Sequence, residues 1–131
     1  MIKMKNIKRT GIYMTHSEAH IIEIVNENIN ISTIESEFTH QDKLDSLTKS
    51  ESLMHNKEQH EQAKYYKNLS KVILNCDQVL LFGPTDAKEE LFNLISDDHH
   101  FNKVQVELKQ TDKLTKNQQE VYVNDFFMTN L

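Results

Sequence analysis

The hydrophobic periodicity changes along this chain, and that change constrains its fold more than any other feature. In residues 11–38 apolar and β-branched side chains recur at every second position, as at Ile29 and Ile31. Beyond about residue 57, apolar spacings of three and four alternate with short apolar runs. A period of two is typical of β-strands, and spacings of three and four are typical of amphipathic helices. The chain therefore begins with strands and continues with alternating helices and strands.

Residues 11–38 predict a three-stranded antiparallel meander. A first run at 11–16 and a β-branched run at 20–25 are joined by a short polar connector, which is a hairpin pattern. Asn26 and Asn28 flank the next connection, and asparagine tolerates the left-handed backbone that turns require. A third alternating run follows from Ile29.

The rest of the chain predicts three helices and two strands. Helical spacing over about 57–75 gives one apolar stripe, and 78–82 form a strand that is apolar on both faces. Asp86 with Glu89, and later Thr115 with Gln118, are spaced as helix-starting capping boxes, with the strand 103–108 between them. The members of the first stripe are Ala63, Tyr66, Leu69 (or Ser70), Ile73 and Leu74. The order β-β-β-α-β-α-β-α predicts an α/β fold with a mixed five-stranded sheet, as in RNase H-like proteins.

The chain length indicates one domain, because 131 residues fall within the usual range of about 100–200 per domain. Residues 1–10 form a basic arm without acids, which either contacts an acidic partner such as RNA or is a solvated terminus. Residues 11–131 form the α/β domain. Within it, residues 39–57 are polar without a sustained period and predict a long loop. The apolar runs are far shorter than the ~20 residues of a membrane span, so we expect a cytoplasmic protein.

The spacings of the histidines and the single cysteine favour surface histidines with no metal or cofactor, and the alternative is a metal site assembled from distant loops. His55 and His60 are five residues apart and His99 and His100 are adjacent, whereas ligands on one helix face are three or four apart. Cys76 is the single cysteine, which excludes a disulfide framework. Its position at the end of an apolar stripe is typical of a packed thiol.

Catalytic motifs are also missing from the sequence, so we expect no catalytic residues and favour a protein that is not an enzyme. Glu23, Glu35 and Glu37 lie on predicted strands, but nothing in their spacing makes them converge on Mg²⁺ as a nuclease requires. Residues Gly83, Pro84 and Thr85 lie between a strand and a helix start, where backbone N–H groups can bind an anion. The alternative for these three residues is a purely structural turn, because the repeated glycines of a phosphate loop are missing.

One helix carries a candidate nucleic-acid-binding surface. The net charge is −5, which argues against broad duplex binding by charge alone. On the first predicted helix, however, lysines recur at spacings of three, four and seven, with Tyr65 or Tyr66 nearby, a pattern that could follow an RNA backbone. The alternative is an ordinary solvated face, since Glu58 and Glu61 are interspersed. The lysines are Lys57, Lys64, Lys67 and Lys71.

Three strings of residues resemble the middle domain of archaeal and eukaryotic class-1 release factors, Pelota-like rescue factors and small bacterial relatives. Residues 11–19 (GIYMTHSEA) are similar to the opening hairpin of that domain. Residues 79–84 (VLLFGP) and 87–91 (AKEEL) resemble its strand, Gly-Pro turn and Lys-Glu-Leu helix, and 111–115 (TDKLT) resemble the segment after the final strand. The resemblance covers roughly residues 11–127 and implies the same fold.

The resemblance implies no catalysis here. Release factors hydrolyse peptidyl-tRNA with a Gly-Gly-Gln loop between the third strand and the long helix, where this chain has residues 39–57. The two glycines of the chain, Gly11 and Gly83, lie elsewhere, so the tripeptide does not exist. Pelota-like proteins lack it too and act by binding.

From the residues and the resemblance together we expect a non-catalytic domain that binds the ribosome or RNA. The loop 39–57 and the four lysines would form the contact surface. The alternative is a protein-interaction module, such as a homo-oligomer that pairs through a sheet edge, with no nucleic-acid role.

Overall fold

A computed structural model describes residues 7–25, 28–36 and 51–129, with the side chains of 57–128 in the last range. Its strands are β1 (Arg9–Met14), β2 (Glu18–Val25), β3 (Asn28–Glu35), β4 (Gln78–Gly83) and β5 (Gln105–Gln110). Its helices are α1 (Glu51–Leu74), α2 (Ala87–Ser96) and α3 (Lys116–Thr129), and a short 3-10 turn spans His99–Phe101. None of these helices is long and apolar enough to cross a membrane.

The five strands form one mixed sheet in the order β3-β2-β1-β4-β5. β1, β2 and β3 pair antiparallel as the predicted meander, whereas β4 pairs parallel with both β1 and β5. The predicted element order and the α/β class with a mixed five-stranded sheet are therefore confirmed.

The central strands divide the core between the two faces of the sheet. In β4, Val79 and Leu81 pack on the face covered by α1 and α2, while Leu80 and Phe82 pack on the face covered by α3. All four side chains are at most 1% exposed. This double burial explains the continuous apolar run that predicted the strand.

The two predicted capping boxes have different outcomes. At α3 the backbone N–H of Thr115 donates to Gln118 Oε1 (2.9 Å), and the N–H of Gln118 donates to Thr115 Oγ1 (3.2 Å), so this box is confirmed. At α2 the prediction was wrong, because the side chain of Asp86 makes no capping hydrogen bond. Thr85 Oγ1 instead accepts the backbone N–H of Ala87 (3.3 Å).

Two predicted boundaries also change. The chain is helical from Glu51, so the last seven residues of the predicted loop 39–57 belong to α1, and residues 39–50 lie outside the described residues. Arg9 and Thr10, the last residues of the predicted arm 1–10, are the first residues of β1. Their register opposite Gln78 and Val79 of β4 makes them part of the sheet, and residues 1–6 are outside the described range.

The buried face of α1 is rotated from the predicted stripe. Tyr66, Leu69 and Ile73 are buried as expected, but Ala63 and Leu74 are exposed. Tyr65 is buried in their place, with its hydroxyl donating to the backbone oxygen of Thr15 (2.9 Å). A hydroxyl that can be satisfied at the end of β1 allows the whole tyrosine ring to enter the core.

We expect Gly11→Ala to destabilise the protein. A Cβ at Gly11 would lie 2.3 Å from Cγ2 of Val123, which is itself fully buried on α3. Overpacking of this kind costs about 1–3 kcal/mol in the free energy of unfolding, and urea denaturation of the variant tests for this loss. The double variant Gly11→Ala/Val123→Ala should lose less than the sum of the single losses, because the second change removes the clash. A Gly11→Ala protein as stable as the wild type would contradict this account of the packing.

Candidate nucleic-acid-binding surface

The four predicted lysines lie on one exposed side of α1. All four are exposed, and at 100° per residue Lys57, Lys64, Lys67 and Lys71 fall within an arc of about 80°. Leu69 and Ile73, at the centre of the buried face, lie on the opposite side of the helix. We call these four residues the lysine stripe.

The interspersed acids do not share the centre of the lysine stripe. Glu58 is rotated by about 100° from Lys57 around the helix axis. Glu61 lies at the edge of the stripe and is half-buried. The stripe is therefore a local region of positive charge on a chain of net charge −5.

The tyrosines that the sequence associated with the stripe belong to the core. Tyr65 is 1% exposed and Tyr66 is 5% exposed, so neither ring is available to contact RNA beside the lysines. Helical geometry accounts for this separation from the stripe, because a residue that follows a lysine directly is rotated by about 100° around the helix axis.

A groove runs beside the C-terminal half of the lysine stripe. Its volume is about 390 Å³, and Lys67 and Lys71 of α1 line one side of it. Leu94 of α2 and Leu74 lie along it with 58% and 47% of their surfaces exposed, and Asp98 and His100 follow α2 at its far side. The groove combines cationic and apolar groups at the end of the lysine stripe.

The predicted ligand-binding turn at Gly83, Pro84 and Thr85 is held by side chains of the protein. Gln110 donates through Nε2 to the carbonyl of Pro84 (3.1 Å), and Lys88 donates through Nζ to the carbonyl of Thr85 (2.7 Å). Gly83 has a φ of +149°, and a Cβ there would meet the backbone oxygen of Met14 at 2.4 Å, so only glycine fits. These contacts explain the turn structurally, and anion binding at it stays a prediction.

Lys88 is a buried cation that the sequence reasoning missed. It is 1% exposed, and besides the carbonyl of Thr85 its Nζ donates to Gln110 Oε1 (2.6 Å) and lies 3.5 Å from Glu89 Oε1. Lysine is rarely buried without such partners. Its charge gave no sign of this burial, since the acceptors come from a turn and from the distant end of β5.

A hydrogen-bonded chain of titratable groups lies where β1 ends. The hydroxyl of Tyr66 donates to Glu90 Oε1 (2.6 Å), and Glu90 Oε2 lies 3.3 Å from His16 Nε2. The Tyr66 hydroxyl lowers the pKa of the Glu90 carboxyl, and His16 adds to this effect. Burial, followed by the Glu90 carboxylate, raises the pKa of Tyr66. The arrangement ties α1, α2 and the β1–β2 turn together.

Among the residues that the structure describes, the remaining reactive groups do not assemble into a catalytic site. Glu23 and Glu35 lie on opposite faces of the sheet. Glu35 pairs with Glu18 of β2, and Glu18 and Glu23 are an odd number of residues apart on a strand whose side chains alternate between the two faces. Glu37 lies outside the described residues. Cys76 is buried, with its thiol near Thr10 Oγ1 and the carbonyl of Val72, and burial above all raises the pKa of this thiol. A packed thiol of this kind is a poor nucleophile.

The mixed sheet, its strand order and the three helices define the fold class of release-factor and Pelota domains. The Pelota protein of Thermoplasma acidophilum matches 91% of this chain with a TM-score of 0.56 at 13% identity. Dom34 of S. cerevisiae matches 94% of this chain with a TM-score of 0.52 at 15% identity. That protein is a translation termination-like factor involved in RNA quality control, and it interacts with Hbs1. The archaeal translation termination factor aRF1 also matches 94%, with a TM-score of 0.50 at 12% identity.

The match confirms the fold that the resemblance implied. The chain spans 32% of the Pelota protein, 34% of Dom34 and 40% of aRF1, as a single domain of each would. No protein-family model matches the sequence, and no curated protein is significantly similar to it.

We expect Tyr66→Phe to lower stability more at neutral pH than at acid pH. In the folded protein the pKa of Glu90 is below its ordinary value of 4.5. The ionised carboxylate therefore contributes its full stabilisation of the fold at pH values above 4.5. This contribution is lost as the pH falls through the folded pKa. Urea unfolding midpoints at pH 7, 5 and 3 should therefore show a difference between wild type and Tyr66→Phe that narrows toward pH 3.

Tyr65→Phe is the matched control for this experiment. It removes a hydroxyl that donates to a backbone carbonyl, which does not titrate, so its effect should change little over the same range. A Tyr66→Phe effect that is equally constant with pH would show that the ionisation of Glu90 does not stabilise the fold.

Proposed function

We propose that this chain is a release-factor-like domain that binds RNA on the ribosome in the cytoplasm and has no catalytic activity of its own. The observation that carries the proposal is the lysine stripe, four exposed cations on one side of the long helix of this fold. Lysine side chains contact phosphates without reading sequence, so such a stripe suits the folded backbone of an RNA. The residues 39–57, which lead into the stripe, complete the proposed contact.

The fold supports a role of this domain in translation. Dom34 is described as a translation termination-like factor and aRF1 as a translation termination factor, and both contain a domain of this fold. The Gly-Gly-Gln tripeptide is missing from the sequence. The two glycines of the chain have structural roles instead, Gly11 beneath Val123 and Gly83 at a positive φ. Binding, rather than hydrolysis of peptidyl-tRNA, is the activity that such a domain retains.

Sedimentation of native lysate through sucrose gradients tests the proposal. At low salt we expect the protein to migrate with ribosomal particles and to move to the top fractions as the salt concentration rises. Four phosphate contacts give a slope of roughly −3 to −4 for log K against log salt. Binding purified ribosomes in a salt series measures this slope directly.

Charge reversal of the lysine stripe locates the contact. The variant with Lys57, Lys64, Lys67 and Lys71 changed to Glu should lose most binding at moderate salt. The control variant has four other exposed lysines changed to Glu, so that its net charge is the same; these are Lys103, Lys109, Lys113 and Lys116. Equal loss in both variants would mean that only net charge matters, and binding by both would remove the stripe as the contact.

A second candidate function, self-association, is favoured by the outer edge of β3. In the described part of the chain β3 is an edge strand, and its sequence NINISTIE carries a single charge, at its last residue. The opposite edge strand, β5, carries Glu107 and Lys109 within its span. Charges on an edge strand prevent pairing with another chain, and β3 lacks this protection.

The side chains of β3 are suited to a two-fold partner. Ile29 and Ile31 are 41% and 48% exposed. Ile31 pairs with Ile22 of the core under α3, so both isoleucines lie on the face of the sheet that α3 covers. Antiparallel pairing of β3 with β3 of a second copy would place the isoleucines of both copies side by side on the same face of a ten-stranded sheet.

Light scattering across a range of concentrations tests this second candidate. A dimer of twice the 15.4 kDa chain should appear, and Ile29→Lys/Ile31→Lys should convert it to monomer. Val121→Lys/Met128→Lys is the control, because these two residues are similarly exposed on α3. A mass of one chain at every concentration would contradict pairing through β3.

A further inference from the structure

Two adjacent histidines and an aspartate meet at the turn between α2 and β5. His99 and His100 begin the 3-10 turn, and Asp98 precedes it. One potential ligand atom from each of the three side chains lies within 4.8 Å of the other two. The α-helical spacing rule excluded this pair in the sequence, but the residues do not lie in an α-helix, so that rule does not apply to them.

The turn holds the three side chains in a defined arrangement. The rings of His99 and His100 stack, with centroids 4.4 Å apart and planes 28° from parallel. Asp98 Oδ1 accepts the backbone N–H of His100 (2.9 Å) and lies 2.6 Å from His100 Nδ1. The carboxylate thereby fixes both the start of the turn and the orientation of one imidazole.

The backbone beneath these side chains is also fixed. The N–H of Asp98 donates to the carbonyl of Ile95, and the N–H of Phe101 donates to the carbonyl of Asp98, both at 3.1 Å. Phe101 packs against the core formed by α1 and α2. The chain therefore presents the three ligating groups from a structured turn, while the side chains of Asp98 and His100 remain 44% and 68% exposed to solvent.

The chemistry of this set selects a class of metal ion. Two imidazoles and one carboxylate match the ligands of zinc sites that keep a water in the fourth position. Calcium and magnesium prefer sites made of oxygen alone. Tetrahedral zinc with bonds of about 2.1 Å needs ligand atoms roughly 3.4 Å apart, and exposed side chains reach this spacing by rotation about χ1 and χ2.

We propose that Asp98, His99 and His100 form a binding site for Zn²⁺ or a similar first-row transition-metal dication. The ion takes one nitrogen from each histidine and an oxygen of Asp98, and water completes its coordination. Asp98 and His100 also line the groove beside Lys67 and Lys71, so a bound dication adds positive charge to that groove. The site stands on its own geometry and does not depend on RNA binding.

Zinc binding to untagged protein tests the proposal. After equilibrium dialysis against Zn²⁺ we expect one ion per chain by elemental analysis, and calorimetric titration should give the same stoichiometry. His99→Ala and His100→Ala should each weaken binding at least tenfold, and the double variant should abolish it. His60→Ala is the control, because His60 is an exposed histidine on α1 outside the site.

Two further measurements separate a lost ligand from a disturbed fold. Asp98→Asn keeps an acceptor for the N–H of His100 and should still weaken zinc binding several-fold, with an unchanged far-ultraviolet circular dichroism spectrum. Co²⁺ should bind with visible absorption bands of a tetrahedral site, and these should be missing in the double histidine variant. Absence of stoichiometric zinc, zinc retained by the double variant, or equal affinity for Mg²⁺ would overturn the proposal.

Discussion

The parallel pairing of β1 with β4 is the interaction on which the rest of this structure depends. Each strand contributes alternate side chains to the two cores, so both cores exist only while the pair is intact. The pairing also sets the approach of α3, because Gly11 of β1 leaves the space that Val123 fills. Even the backbone before β1 takes part, since the N–H of Lys8 donates to the Asp77 carboxylate (2.8 Å) just before β4.

Periodicity was sufficient to predict the order of elements but not the exact orientation of each. The alternation in β2 and the double-faced run in β4 reflect burial that any folded form of the chain must satisfy. Whether Tyr65 or Ala63 turns inward depends on partners from elsewhere in the chain. Those partners, such as the Thr15 carbonyl, cannot be deduced from local spacing.

The candidate sites also divide into features of a single element, which spacing predicts, and features that join distant residues, which it does not. The lysine stripe could be predicted because it is a property of one helix, and helical geometry alone puts its members on one side. Lys88 and the chain from Tyr66 through Glu90 to His16 could not, since each joins residues that are far apart in sequence. The spacing of the histidine pair did not indicate a site, because the spacing rule holds for an α-helix and the chain forms a 3-10 turn there.

The position of β1 in the sheet has a consequence for the order in which the chain folds. Arg9 pairs with Gln78, so the central pair closes a loop of nearly 70 residues, whereas the β1–β2 and β2–β3 hairpins are local. Loop closure over such a distance slows folding relative to local contacts. During synthesis β1, β2 and β3 are therefore complete before β4 has been made. The edge of β1 that pairs with β4 is unpaired during that time. Until β4 is made, Ile12 and Tyr13 have no strand to pair with on that side, and the nascent chain exposes the edge that later becomes the centre of the sheet.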